Sequence, residues 1–303
     1  MKTSNETVVR LTYMDIAKGI GILCVIAGHM GNSIINKFVF SFHMPLFFLI
    51  SGYFISSRNS SRTILIKRFK QLLPPYVFTC FAVIFISTIK GMLGILIGNK
   101  TIGQVVQTAF KWIGASLYGA GTPHDVFGGG TAVAIGAVWF LWATIWSSWL
   151  SKYATETSNP TVVVLIIAVL GYISSKIVWL PLSIQCGMTA TVFVYCGVKL
   201  KDIDFFGRPQ KVQVSFIAVA LILWANEIVC SSPWIDIAQN QFPDKAFDFI
   251  GGVSAAICVI WIIKYCYEKN LSFFIWKPFE WLGKHSLIIL LFSFSGTQYN
   301  SVG

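Results

Sequence analysis

The 303-residue chain has very little charge. Asp, Glu, Lys and Arg together make up 12% of its residues, about half of the ~25% that is usual for soluble domains. This scarcity excludes a soluble globular enzyme and a disordered protein. Acidic residues are the rarer charges, with 12 Asp and Glu against 23 Lys and Arg, which gives a formal net charge of +11. Because the basic residues lie in short islands between apolar runs, we also exclude a conventional nucleic-acid binder and expect no nucleic-acid partner.

The seven cysteines lack the spacing of a metal site. No CxxC or CxxH pair occurs in the sequence, so a cysteine-held metal is not expected. All but one of the cysteines lie within or at the end of apolar runs, where a thiol packs as a small apolar side chain. We therefore expect no metal cofactor.

Apolar runs dominate the sequence instead. Hydrophobic residues reach 55%, and the mean hydropathy is +0.70. Most of the apolar segments reach the ~17–25 residues that a membrane-spanning helix needs. The pattern predicts an all-α, polytopic membrane helical bundle of about 9–10 transmembrane helices, built as one domain over residues 1–303. The segments are about 13–30, 38–56, 73–98, 132–150, 161–180, 184–200, 212–230, 247–266 and 285–295.

A weaker segment at 101–118 decides between nine and ten crossings. It carries Gln104, Gln107 and Lys111, which suit either a tilted span or a helix lying on the membrane surface. We favour nine crossings.

The basic islands predict the orientation. The stretch from Arg58 to Lys70 holds five basic residues and no acid, so the positive-inside rule places it in the cytoplasm. The first two spans then run outward and inward, which also puts the amino terminus in the cytoplasm. We expect a multi-pass protein of the inner (plasma) membrane, in contact with its lipids.

The first span carries three ionisable residues on one helical stripe. At ~100° per residue, Asp15, Lys18 and His29 share a face with Ile22 and Val25, and Asp15 can pair with Lys18. Because each such group costs roughly 2.5–3.5 kcal/mol inside a membrane, we expect this face to line the bundle interior or a polar cavity. A structural ion pair with a snorkelling Lys18 is the alternative.

The second span adds His43, close to the outer end where His29 lies. Two imidazoles that meet at one end of a helical hairpin form a candidate acid–base site. A polar residue used only for helix packing is the alternative interpretation of His43. Pro45, two residues later, loosens the helix at this point.

A basic cluster precedes the third span. Lys67, Arg68 and Lys70 stand just before Pro74–Pro75, which we expect to open that span. The cluster suits the phosphates of a cytosolic cofactor. Its alternative role is to set the topology and to bind anionic lipid.

These segments resemble the integral-membrane acyltransferase-3 family. The resemblance rests on DIAKGIGILCVIAGH, FSFHMPLFFLISGYF and KRFKQLLPPY, on WFLWA from Trp139 to Ala143, and on LGKHSLIILLF from Leu282 to Phe292. It spans nearly the whole chain, and its first two motifs together are quite specific. The chain looks most like the fucose 4-O-acetylase-type acetyltransferases. The family's R/K-x10-H signature falls on Lys18 and His29.

The resemblance implies a membrane O-acetyltransferase. Acetyl would pass from cytosolic acetyl-CoA to a hydroxyl of a sugar, in a cell-surface polysaccharide or its lipid-linked precursor. His29 is then expected to be the general base, and His43 a second base or a hydrogen-bond donor to the acceptor. Lys18 would stabilise developing negative charge, with Asp15 orienting it. Arg68, Lys67 and Lys70 would hold the phosphates of acetyl-CoA.

The chain departs from the family at two places. Gln71 is neutral where a second basic residue often stands, and the chain stops soon after the SLII run, so a shortened carboxyl-terminal region is expected. A second class of function remains open from the residues alone. A transporter or flippase for a polar solute also uses intramembrane Asp, Lys and His.

Overall fold

The computed structural model describes residues 11–125, 131–269 and 273–297. Those ranges hold twelve α-helices, three short 3-10 turns and one antiparallel pair of strands, β1 (His124–Asp125) and β2 (Thr131–Ala132). The prediction of an all-α membrane bundle is confirmed. The helices are α1 (Thr12–Gly28), α2 (Ser33–Phe40), α3 (His43–Tyr53), α4 (Ser61–Leu96), α5 (Ile102–Tyr118), α6 (Trp139–Thr155), α7 (Pro160–Ser174), α8 (Ile184–Asp202), α9 (Gln210–Cys230), α10 (Ala246–Glu268), α11 (Phe273–Lys284) and α12 (Ser286–Thr297).

Four helical stretches in the described ranges are long and apolar enough to cross a membrane. They are Ser33–Tyr53, Ser61–Leu96, Gln210–Cys230 and Ala246–Glu268. α7 is a shorter apolar helix. Large apolar side chains such as Phe78, Val169 and Ile222 are exposed on α4, α7 and α9, as lipid-facing surfaces are. The number of crossings stays a prediction.

The second predicted span is divided into two helices. Asn32 caps the start of α2, and its side chain accepts hydrogen bonds from the backbone N–H groups of Ile34 and Ile35. The helix ends at Phe40, and α3 begins at His43 after a turn. Ser41 stabilises that turn, because its hydroxyl donates to the Phe38 carbonyl and accepts from the indole N–H of Trp224. The turn places His43 at the start of a helix.

α4 differs from the prediction at its start. Its 36 residues begin at Ser61 and run through Pro74 and Pro75 without a break, so the helix begins well before the prolines, and their place at the opening of the span stays a prediction. Two prolines remove the backbone bonds to the carbonyls of Lys70 and Gln71. Both of those residues are exposed, and water can take up their carbonyls near a membrane surface. The helix is about 54 Å long.

Glycines let α1 and α11 cross at backbone contact. A Cβ on Gly19 would lie 1.9 Å from the Phe279 carbonyl oxygen, and one on Gly283 would lie 1.7 Å from the Asp15 carbonyl oxygen. Neither position can hold a side chain unless the helices separate. This crossing fixes the position of α1 relative to α11 next to Asp15.

α3 and α8 make a second contact of the same kind. A Cβ on Gly52 would lie 1.9 Å from the Val194 carbonyl oxygen, and one on Gly197 would lie 2.0 Å from the Leu49 carbonyl oxygen. Small residues are the usual means of close helix approach in membranes. The two helices that carry the predicted histidines are therefore each held by a glycine pair.

The bundle has two ends of different composition. α1, α3, α9 and α10 pack around the main apolar core, while α8 packs against α3, α6 and α7. We call the end with residues 29–43 and 231–245 the histidine end, and the end with residues 54–62 and 201–208 the basic end. α1 runs from the basic end to the histidine end, and α3 runs back.

Candidate functional site

An ion pair lies near the start of α1. Asp15 and Lys18 are three residues apart on one helical face, and Lys18 Nζ lies 2.7 Å from Asp15 Oδ1. Asp15 is buried, whereas 26% of the Lys18 side chain is exposed. The pairing that the spacing predicts is present, beside the Gly19–Gly283 crossing.

Two histidines line one cavity at the histidine end. His29 directly follows the last residue of α1, and His43 is the first residue of α3. Both belong to the walls of a cavity of about 110 Å³, which we call the histidine cavity. His29 is exposed and His43 is buried. The structure thus brings these two sequence-predicted residues together.

The ring of His43 is held in one orientation. Its Nδ1 lies 2.6 Å from the Val39 carbonyl oxygen, and the Phe40 ring packs against it at right angles, with 4.8 Å between ring centroids. Because a carbonyl oxygen only accepts hydrogen bonds, Nδ1 carries the proton of the neutral ring. Nε2 then holds the lone pair, so His43 can take up a proton at Nε2.

Two polar residues from loops also line the histidine cavity. Thr122 Oγ1 lies 2.8 Å from His124 Nε2. The Asp236 carboxylate accepts from the backbone N–H of Ala238 at 2.9 Å, and burial raises the pKa of this carboxyl group. Sequence reasoning missed both residues, because a loop that folds over a helix end leaves no periodic signal.

A smaller apolar cavity adjoins the histidine cavity along α1. This second cavity, of about 70 Å³, extends to Ile22 and to Ser286 of α12. The two cavities share Val25, Met44, Phe140 and Leu290. Ile22, Val25 and His29 therefore lie along one line of cavities, as the helical spacing predicts. Ile22 is the wall residue of this second cavity that lies nearest the start of α1, and Lys18 lies one turn further along the helix.

The basic residues of α4 point in different directions. One guanidinium nitrogen of Arg68 donates to the Ser51 carbonyl oxygen at 3.1 Å and to its hydroxyl at 2.8 Å. Lys67 and Lys70 are exposed, because a helix turns ~100° per residue and places them away from Arg68. The structure brings Arg68 to the end of α3 and leaves the two lysines on the surface.

Two more lysines bind the segment that follows α3. Lys201 Nζ donates to the Ile55 carbonyl at 3.1 Å, and Lys152 Nζ donates to the Ser57 carbonyl at 3.2 Å. Carbonyls at a helix carboxyl terminus lack partners within the helix, and the helix dipole there favours cations. Arg68 thus stabilises the last turn of α3, and Lys201 and Lys152 stabilise the segment that follows it, a role that the sequence did not reveal.

A large cavity lies at the basic end. Its volume is about 680 Å³, within the ~300–1,000 Å³ of small-molecule sites. The starts of α1 and α9 and the ends of α3 and α10 form it. Its aromatic residues are Tyr13, Tyr53, Phe206, Trp261 and Tyr265. Its charged residues are Asp204, Arg208, Lys264, Glu268 and Lys269.

Metal ligands do not cluster in the described ranges. Within residues 11–125, 131–269 and 273–297, no group of three or more His, Cys, Asp or Glu side chains could hold a metal ion. The chemistry that the described residues offer is that of imidazole, carboxylate and ammonium groups.

Comparison with known proteins gives two findings. A family model described as an acyltransferase domain matches residues 11–299. The nodulation protein NolL of Mesorhizobium japonicum is 24% identical over 271 residues, which cover 84% of this chain and 57% of that protein. The chain therefore spans little more than half the length of this curated relative. No solved structure matches the chain.

Proposed function

Because the chain belongs to the acyltransferase-3 family, and is thus a membrane acyltransferase, we propose that it transfers acetyl from cytosolic acetyl-CoA to a sugar hydroxyl. The acceptor is a cell-surface polysaccharide or its lipid-linked precursor. In this proposal the basic end faces the cytoplasm, together with the amino terminus, and the histidine end faces outward across the inner membrane.

One observation carries the proposal. His29 and His43, from two helices that are each fixed by a glycine contact, line the same cavity, and a second cavity adjoins it along α1 in the direction of the Asp15–Lys18 pair. A reaction that joins a donor from one side of the membrane to an acceptor on the other needs such a protein-lined passage. General bases positioned in this way typically contribute about 10²–10⁴-fold to a rate.

His29 is the proposed general base. It takes the proton of the sugar hydroxyl while the hydroxyl oxygen attacks the thioester carbonyl carbon. A carbon–oxygen bond forms, the carbon–sulfur bond breaks, and the proton on His29 passes to the departing coenzyme A thiolate. A covalent acetyl-His29 intermediate, with two successive transfers, is the alternative route.

The other predicted residues support this reaction. His43 is the proposed second base, since its Nε2 holds the lone pair. Lys18 stabilises negative charge along the path, or holds polar groups of the pantetheine arm, and Asp15 orients it at 2.7 Å. Arg68, Lys67 and Lys70 supply positive charge for the phosphates of acetyl-CoA on the cytoplasmic side.

The experiment replaces His29 by Ala in a host whose surface glycan is acetylated by this protein. We expect acetyl content, measured by mass spectrometry of the glycan, to fall to the level of cells that lack the chain. Met30→Ala is the matched control, because Met30 is the next residue and is 73% exposed. Normal acetyl content with His29→Ala present in the membrane would refute His29 as the base.

A second assay separates the enzyme from a transporter or flippase. The purified chain should form acetylated sugar only when acetyl-CoA is supplied. A transporter would move the solute without acetyl-CoA and would form no product.

A further inference from the structure

The large cavity at the basic end has no role in the proposed reaction. It lies about 24 Å along α1 from His29, counting the 16 residues from Tyr13 at 1.5 Å each. None of the residues predicted to hold the donor phosphates lines it. The cavity of about 680 Å³ has five aromatic and five charged residues in its walls, and these define the chemistry that an occupant must match.

The aromatic residues suit a planar ring. Trp261 and Tyr265 lie one turn apart on α10 and stack on each other, with 5.4 Å between ring centroids and 17° between planes. The indole N–H of Trp261 donates to Gln213 Oε1 at 2.8 Å, which fixes the ring and satisfies its polar atom. Stacking of a nucleobase on such side chains is a recurrent mode of binding.

The charged residues suit a phosphate. Lys264 is already paired with Glu268, Nζ to Oε1 at 2.7 Å. Arg208 Nε donates to the Ile203 carbonyl at 3.1 Å, which anchors the guanidinium and uses one of its five N–H donors. Lys269, at the end of α10, adds a second cation.

One carboxylate opposes these cations. Asp204 lies in the loop before α9, and its carboxylate covers the backbone of Gly207, where an added Cβ would lie 2.3 Å from Asp204 Oδ2. The charges of Lys264 and Glu268 cancel each other. The remaining charged residues of the walls are the cations Arg208 and Lys269 and the carboxylate Asp204. The cavity therefore carries a net positive charge.

We propose that this cavity binds the nucleotide part of the acyl donor, with Trp261 and Tyr265 against the base and Arg208 and Lys269 on the phosphates. The inference rests on the proposed function, and it adds a nucleotide site that is separate from the basic residues of α4. It places the donor's anchor where α1 begins.

The first experiment tests the charges with the purified full chain in phosphatidylcholine nanodiscs. We expect the double variant Arg208→Gln with Lys269→Gln to weaken binding of coenzyme A about 10- to 100-fold, as loss of charge-assisted bonds does. Arg62→Gln with Lys211→Gln is the control, because it removes two exposed cations that do not line the cavity. Its coenzyme A affinity should equal that of the unaltered chain.

The second experiment tests whether the Trp261 ring binds the nucleobase. The unaltered chain should bind coenzyme A more tightly than 4′-phosphopantetheine, which lacks the nucleoside, and Trp261→Leu should shrink that difference. Phe110→Leu, at a residue that is 69% exposed on α5, should leave it unchanged. The melting temperature of each variant is measured so that only folded proteins are compared.

Three outcomes overturn the proposal in distinguishable ways. If the cavity variants bind coenzyme A like the unaltered chain, the nucleotide site is wrong and the proposed function stands. If the Arg208 and Lys269 variant instead loses retention of phosphatidylglycerol in mixed nanodiscs, the cavity holds a lipid headgroup. If the unaltered chain neither binds coenzyme A nor transfers acetyl, the proposed function fails together with this inference.

Discussion

The two ends of α1 carry different chemistry. Where α1 ends, a cavity of about 110 Å³ holds two imidazoles and the Asp236 carboxylate in its walls. Where α1 begins, a cavity of about 680 Å³ holds three cationic side chains, two carboxylates and five aromatic rings. A small space with proton acceptors suits a reaction, and a large space with rings and cations suits binding. In the proposed function, α1 joins a binding end to a reacting end.

The glycine contact between α1 and α11 gives the largest expected effect of a substitution, because both ends of α1 depend on it. Gly19→Ala puts a Cβ 1.9 Å from the Phe279 carbonyl oxygen, and backbone cannot yield as a side chain does. We expect a loss of at least about 1–3 kcal/mol of stability, with donor binding and acetyl transfer lost together. The yield of monodisperse protein and its melting temperature measure the effect.

Gly114→Ala is the control for this substitution. Gly114 lies in α5, and nothing stands within 4 Å of an added Cβ, so the variant should melt at or above the temperature of the unaltered chain. A Gly19→Ala protein that melted with the unaltered chain would show that the α1–α11 crossing is looser than described.

His43 gives the next effect, confined to the reacting end. His43→Asn can keep a donor near the Val39 carbonyl but lacks a lone pair at the position of Nε2. We expect the rate of acetyl transfer to fall about tenfold or more, which is near or below the lower limit of the ~10²–10⁴-fold that a general base usually contributes. The affinity for coenzyme A should stay unchanged. Equal loss of both readouts would mean that His43 acts only by holding the start of α3.

Asp15, which lies on α1 between the two cavities, gives a smaller effect on acetyl transfer. Asp15→Asn removes the charge that holds Lys18, and because Lys18 is 26% exposed water limits the cost to about 1 kcal/mol. Transfer should fall several-fold. Asp202→Asn is the matched control, since Lys199 and Asp202 have the same i,i+3 spacing but are both exposed, at 3.7 Å. An Asp15→Asn protein with full activity would remove the pair from the mechanism.

Asp236 gives the smallest effect, and its sign follows from burial. The pKa of Asp236 is raised in the folded protein, so the folded state binds this proton more tightly than the unfolded chain does. Its contribution therefore favours the folded state as the pH falls through the folded pKa and is lost at higher pH. Asp236→Asn should make the melting temperature vary less with pH above about pH 4, the ordinary pKa of an Asp side chain. An unchanged pH dependence would contradict this.

Helical periodicity in the sequence predicted which residues of α1 share one face. The helical stripe of Ile22, Val25 and His29 was predicted from spacing, and the structure places all three along the line of cavities. The Asp15–Lys18 pair was predicted for the same reason. Local spacing carries such information because neighbours on one helical face are set by the geometry of the helix.

The rest depends on contacts between distant segments. The turn at Ser41 depends on Trp224, which lies 183 residues away, and nothing in the local sequence marks it. Arg68 was expected to be available to phosphates, yet it binds Ser51 because the carboxyl end of α3 comes close to α4. The large cavity forms where four helix termini meet, so its residues share no motif.

The most direct test of the account measures both ends of α1 in one variant. Purified His29→Ala is assayed for coenzyme A affinity and for single-turnover acetyl transfer, beside Met30→Ala. We expect an unchanged affinity for coenzyme A and a transfer rate about 10²–10⁴-fold lower. Transfer at the rate of the unaltered chain, or a loss of affinity as large as the loss of transfer, would contradict the separation of binding and reaction along this helix.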